Sequence, residues 1–89
     1  MIVERIEIIN ELGLHARAAA KLVGTASRFG CDIRLTKDGM TVDAKSIMSV
    51  MMLAASKGTW IEITAEGEDA EDAIAALREL INNRFGEEK

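Results

Sequence analysis

Proline and tyrosine are absent, and histidine, cysteine and tryptophan occur once each among 89 residues. A single cysteine excludes an internal disulfide. Cys31 falls on the apolar parity of a strand-like segment, where a thiol packs as a small inert hydrophobe. One histidine and one cysteine fall short of the three or four ligands that zinc draws mainly from those residue types, so no metal is expected. No P-loop or dinucleotide glycine pattern occurs, and we expect no cofactor. No apolar run approaches the roughly 20 residues of a membrane span, and no secretory leader is evident, which argues against membrane insertion and for the cytoplasm. Positive charge is also short, since 11 Lys and Arg against 15 Asp and Glu leave a net charge of -4. Nucleic-acid binding rests on phosphate neutralisation by basic patches and on aromatic stacking platforms. Here the charge has the wrong sign, and Trp60 is the only aromatic residue on a predicted strand.

What is present is a folding chain. Hydrophobic residues make up 48% and charged residues 29%, the composition of a globule rather than of a disordered tail. The length corresponds to one domain, residues 1–89, which buries roughly 60 to 65% of its unfolded surface and leaves room only for a shallow site.

Periodicity orders the elements. Ile2, Ile6 and Ile8 share one parity, with Glu4 as the exception, in a segment rich in β-branched residues that reads as a strand over 2–9. Asn10 to Leu14 reads as a turn. From Ala16 onward Ala19, Leu22, Val23 and Ala26 recur at helical spacing, with Gly30 placed to end the helix and Gly24 free of a side chain that would hold it off the sheet. Cys31 to Lys37 alternates, and Asp38-Gly39 is a type I′ hairpin signal leading to a return strand through Met40, Val42 and Ala44. Ser46 is placed to cap a short helix that runs toward Gly58, and Thr59 to Glu66 alternates again. Asp69 is placed to cap a last helix whose stripe is Ala70, Ala73, Ile74, Leu77, Leu80 and Ile81, with Glu71 and Asp72 near its positive end. Strands with one buried face need the amphipathic helices to cover it. The fold class expected is therefore α+β, in the order β-α-β-β-α-β-α, with the helices together on one side of the sheet.

The one histidine stands where the first strand region gives way to a helix, in Gly13-Leu14-His15-Ala16-Arg17. A helix start exposes backbone N–H groups with no intrahelical partner, so an anion formed on a side chain there is stabilised by amides already in place. An unperturbed imidazole titrates at about 6.5, so its neutral form, with a free lone pair, attacks phosphorus at physiological pH without a separate base. Arg17 adds a permanently charged fork suited to phosphate oxygens. A cation in the first turn opposes the local dipole, which makes sense where an anion visits. The plainer reading, a tolerated polar residue at a loop–helix junction, stands beside this one at this stage.

The middle helix carries more apolar surface than one stripe requires. Val50, Leu53 and Ala54 form one sector, and Ile47, Met48, Met51 and Met52 form another. The second sector predicts an exposed patch whose flexible thioethers suit docking to several partners. The alternative is a short helix sunk deeply enough to bury both sectors.

Gly13-Leu14-His15-Ala16-Arg17, followed about 30 residues later by Lys45-Ser46-Ile47-Met48, resembles the histidine-containing phosphocarrier (HPr) family of the bacterial sugar phosphotransferase system. The resemblance spans nearly the whole chain, including the Asp38-Gly39 hairpin and the final helix. It implies an open-faced β-sandwich of four antiparallel strands covered by three helices. It also implies that His15 accepts a phosphoryl group on Nδ1 from phosphorylated enzyme I, itself charged by phosphoenolpyruvate. The group is held near the backbone of Ala16 and Arg17 and the Arg17 side chain, then passed to enzyme II A domains. By the same resemblance Ser46 matches a serine modified by an ATP-dependent kinase in many members, which would add a serine kinase/phosphorylase and a transcriptional regulator to the partners of a chain expected to be monomeric. The family usually carries proline where this chain has Ala18, so an N–H is present there that the family lacks.

These residues describe a carrier rather than an independent enzyme, because no second acid or base completes a turnover. Two other readings stay open on sequence. One is a nitrogen-related or regulatory branch of the same family. The other is a non-catalytic interaction module docking through Ile47, Met48, Met51 and Met52.

Overall fold

Alternation in the strand segments puts one row of aliphatic side chains on one side of a sheet, and the helices cover that row. A computed structural model describes residues 1–89. Strand β1 spans Ile2–Glu7, β2 Asp32–Lys37, β3 Met40–Asp43 and β4 Trp60–Glu66, while helix α1 spans Ala16–Ala26, α2 Ile47–Met52 and α3 Ala70–Asn82. A single 3-10 turn, Arg84–Gly86, follows α3. The sheet is antiparallel throughout, in the order β1-β4-β2-β3. Its register sets Ile6 beside Ile61 and Leu35 beside Ile63. These side chains pack with Leu22 of α1, Val50 of α2 and Ile74, Leu77 and Ile81 of α3 into a single buried cluster. The other face is wet, with Trp60 half exposed beneath the Arg5 guanidinium, 5.4 Å from the ring centroid. The expected α+β order and four-stranded sheet are therefore observed.

The ends of elements differ from their sequence signals. Helix α1 stops at Ala26, short of Gly30, and the chain leaves through turns closed by Arg28 N–H to Thr25 O and Phe29 N–H to Ala26 O, both 3.2 Å. Helix α2 stops at Met52 and not near Gly58. Ala54 takes a left-handed φ of 51°, and Lys37 Nζ donates to Leu53 O at 2.9 Å, so a lysine from β2 satisfies a carbonyl left over at the helix end. Gly24 faces open space and brings no close approach to the sheet.

Asp69 sits at the start of α3, but its side chain makes no capping bond. Its carboxylate instead accepts from Gly30 N–H at 2.9 Å and Cys31 N–H at 3.0 Å, fastening the entry of β2 to that of α3. Those bonds, the Gly30 amide foremost, hold the Asp69 carboxyl below its usual range. Glu4, the polar exception in β1, reaches α3 and takes both oxygens to Arg78, at 2.6 and 2.7 Å. After α3, Arg84 and Phe85 both adopt φ near +55° (55° and 54°), reversing the chain so that Phe85 is buried with 1% exposure.

Candidate functional site

His15 is the last extended residue before α1, with φ -73° and ψ 176°. The loop that delivers it is braced on two sides. Leu14 N–H donates to Ala55 O at 2.8 Å, and Gly13 lies so close to the Ala55–Ser56 backbone that a β carbon would fall 2.6 Å from Ala55 O. Within the loop, the fully buried Asn10 donates through Nδ2 to Gly13 O at 2.8 Å and to Glu87 Oε1 at 3.0 Å. Both partners are acceptors, which fixes the orientation of the amide.

The imidazole side chain is 28% exposed and stands at the open end of α1. Its Nδ1 accepts from Arg17 N–H at 3.3 Å, and its Nε2 pairs with Glu87 Oε2. Arg17 is exposed and its guanidinium makes no hydrogen bond or ion pair, so a full positive charge is free at the helix start. Ala16 is exposed as well, whereas Ala18 is fully buried. The N–H that replaces the family's proline is consequently sealed beneath the surface rather than presented to an anion. A partly exposed imidazole with an unprotonated Nδ1, an amide-rich helix end and an unpaired guanidinium form an arrangement able to take up and release a phosphoryl group.

Helix α2 packs against α1 and β3. Ser46 precedes it as the N-cap, its Oγ accepting from Ser49 N–H at 3.4 Å. Val50 is buried within the helix and Leu53 is buried at its C-cap, whereas Ala54, the next residue, is exposed. Ile47, Met48, Met51 and Met52 are exposed at 43, 75, 41 and 65%, so the second sector is not sunk into the core.

Glu87 and Asn10 are site residues that sequence reasoning missed. Burial alone would raise the Glu87 carboxyl, but hydrogen bonds from His15 and Asn10 and the nearby positive charge of Lys21 hold it below the usual carboxylate range. The tail that carries Glu87 is pinned by Phe85, by Lys21 Nζ donating to Phe85 O at 2.6 Å, and by Glu11 N–H donating to Lys89 O at 2.8 Å. The available signal was Phe85, the lone apolar residue after Ile81, which marks an anchor in an otherwise polar tail.

Residues 2–83 match the family described as the PTS HPr component phosphorylation site. The chain belongs to the HPr family. It is 59% identical over 83 residues to the phosphocarrier protein HPr of Pseudomonas aeruginosa, covering 92% of each chain. A crystal structure of HPr-C-His from Thermoanaerobacter tengcongensis superposes with a TM-score of 0.97 at 50% identity, covering all of both chains. A crystal structure of an HPr dimer from the same organism gives 0.79 at 52% identity, over 92% of this chain and 94% of that one. HPr membership makes the chain a phosphocarrier of the phosphotransferase system and disfavours the non-catalytic module.

Proposed function

We propose that His15 accepts a phosphoryl group through Nδ1 from phosphorylated enzyme I, charged by phosphoenolpyruvate, and passes it to enzyme II A domains in sugar uptake. The observation that carries this reading is the partly exposed imidazole whose Nδ1 faces the start of α1, 3.3 Å from the Arg17 amide. Arg17 supplies a charge for phosphate oxygens, and the exposed backbone of Ala16 and Arg17 supplies the helix-end field. Residues 1–89 act as one phosphocarrier domain, working as a monomer in the cytoplasm. No helix is long and apolar enough to cross a membrane.

Ile47, Met48, Met51 and Met52 form the docking surface for both partners, since α2 packs beside the helix that His15 opens. Ser46 borders that surface. Phosphate added there by a serine kinase, and removed by the matching phosphorylase, brings about -1.5 to -2 charges to an apolar interface and weakens docking, while creating a different face for a transcriptional regulator. Ser46→Asp, with transfer rates equal to the parent chain, would remove this role.

The test is incubation with phosphoenolpyruvate and enzyme I. A phosphate that is labile in acid and stable in base is expected on the parent chain and absent from His15→Ala. Met48→Glu should slow transfer at low partner concentration while leaving thermal stability unchanged. Label that survives His15→Ala, or no label on the parent chain, refutes the assignment.

A further inference from the structure

An imidazole offers two nitrogens, and a carrier works only if one of them is consistently the nucleophile. The Arg17 N–H donates to Nδ1, so that nitrogen carries a lone pair and no proton. Glu87 Oε2 faces Nε2, and an ionised carboxylate only accepts, so the ring proton belongs on Nε2. We infer that Glu87 is a positioning residue for phosphoryl transfer, holding the proton on Nε2 so that Nδ1 is the nucleophile, and compensating the charge the ring acquires. The inference rests on His15 being the acceptor.

The electron count shows what the carboxylate contributes. As the Arg17 N–H turns from Nδ1 to a phosphate oxygen, the freed Nδ1 lone pair forms a bond to phosphorus while the bond from phosphorus to the donor atom breaks and that atom keeps its electron pair. The ring, neutral at the start, becomes a phosphoimidazolium with the Nε2 proton still in place and a unit positive charge beside Glu87. In the onward step the N–P bond breaks and its electron pair returns to Nδ1, regenerating the neutral ring. By compensating that charge the carboxylate favours acceptance, and by keeping the proton on Nε2 it holds the phosphorylated ring in the cationic form, which is a better leaving group than the deprotonated ring.

The placement is built into the fold. Oε1 of Glu87 is held by Asn10 Nδ2, whose residue is fully buried, and the tail is anchored by the buried Phe85 ring and the Lys21 contact to Phe85 O. Catalysis gains from a partner fixed in advance, because no reorganisation is needed as charge develops.

Glu87→Gln keeps an oxygen acceptor and the tail but removes the charge, while Glu87→Ala removes both. Single-turnover phosphorylation is measured from phosphorylated enzyme I and, separately, from phosphoramidate, a small donor that needs no docking surface. The pH profile of phosphohistidine hydrolysis and the 15N–1H signals of the unphosphorylated ring are recorded alongside. The parent ring should show a hydrogen-bonded Nε2–H. Both variants should accept phosphate about ten-fold more slowly from either donor, the rate equivalent of one pKa unit, and their hydrolysis profiles should move to lower pH. Parent-like rates and profiles in Glu87→Gln, whether or not Glu87→Ala is slow, reduce Glu87 to a tail fastener and overturn the inference. A ring proton found on Nδ1 in the parent chain overturns it without any donor present. Label that survives His15→Ala overturns the acceptor assignment and this inference together, whereas loss of label there with parent-like Glu87 variants overturns this inference alone.

Discussion

Replacing Gly13 by alanine tests how the His15 loop is positioned, and Gly39 supplies the control. Both glycines take a left-handed φ, +65° at Gly13 and +82° at Gly39, so both substitutions force a side chain into a conformation that costs about 1 to 2 kcal/mol. The surroundings differ. A β carbon at Gly39 meets open space at the hairpin tip, whereas one at Gly13 falls 2.6 Å from Ala55 O and 2.8 Å from Ser56 Cα. Ordinary contact begins at 3.4 Å, and the obstructing atoms are backbone, so the 10–14 loop and the 55–56 segment must part by most of an ångström. Overpacking of that kind adds about 1 to 3 kcal/mol. Gly13→Ala should therefore lose about 2 to 5 kcal/mol against about 1 to 2 kcal/mol for Gly39→Ala, read as a lower urea midpoint at unchanged slope. The separation that destabilises the loop also displaces the His15 backbone, because Leu14 N–H is bonded to Ala55 O next to the clash. Displacement on this scale costs up to about 100-fold in a positioned reaction, so phosphoryl acceptance should fall well below parent in Gly13→Ala and stay at parent level in Gly39→Ala. Equal destabilisation by the two variants, or full transfer activity in Gly13→Ala, would show that the contact with Ala55 and Ser56 is not what demands glycine.

Two further outcomes follow from the tail and from the carboxylates. Phe85→Ala removes a fully buried ring and should cost about 3 kcal/mol or more, a Tm drop of roughly 12 to 24 °C, with Glu87 released from His15 in the same step. A melting midpoint within a few degrees of parent would mean that the tail adds little to the folded state. Glu4, Asp69 and Glu87 are all held below their usual range, by the Arg78 hydrogen bond, by the Gly30 amide, and by the His15 and Asn10 hydrogen bonds overcoming burial, respectively. A carboxyl depressed in the folded state stabilises fully above its ordinary value of about 4 and loses that stabilisation as pH falls through the lower folded value, so unfolding free energy should decline from about pH 4.5 downward. Glu4→Gln should flatten the upper part of that decline, and added salt should shrink the Glu4 share because the Arg78 pair is partly exposed. A urea titration between pH 3 and pH 6 that shows no such slope removes the account.

What the sequence made legible, and what it hid, divides by the range of the interaction. Strand parity is local, so Ile6, Ile33, Leu35, Ile61 and Ile63 could be assigned to the core from spacing alone, and the Asp38-Gly39 turn from its residue pair. His15 at the start of α1 was legible for the same reason, since cap geometry is set within a few residues. Asp69 shows where local reasoning fails. The position is right for a helix cap, yet two unpaired amides of Gly30 and Cys31, 39 and 38 residues away, offer its carboxylate a better pair of donors than the helix it precedes. Glu4 breaks the alternation of β1 because an arginine on α3 waits above that face. Gly30 and Gly58 follow apolar helical runs but do not end them; Lys37 reaches Leu53 O and allows α2 to finish at Met52, a stop no local pattern announces. Glu87 is the extreme case, 72 residues from His15 and set in place by the buried Phe85 and by Asn10. An aromatic residue stranded in a charged tail has to bury somewhere, and where it buries decides which carboxylate reaches the imidazole. The partner of Nε2, the ring nitrogen that does not face Arg17, is thus set by core packing at Phe85, which is why the local motif brings forward His15 but not the carboxylate that pairs with it.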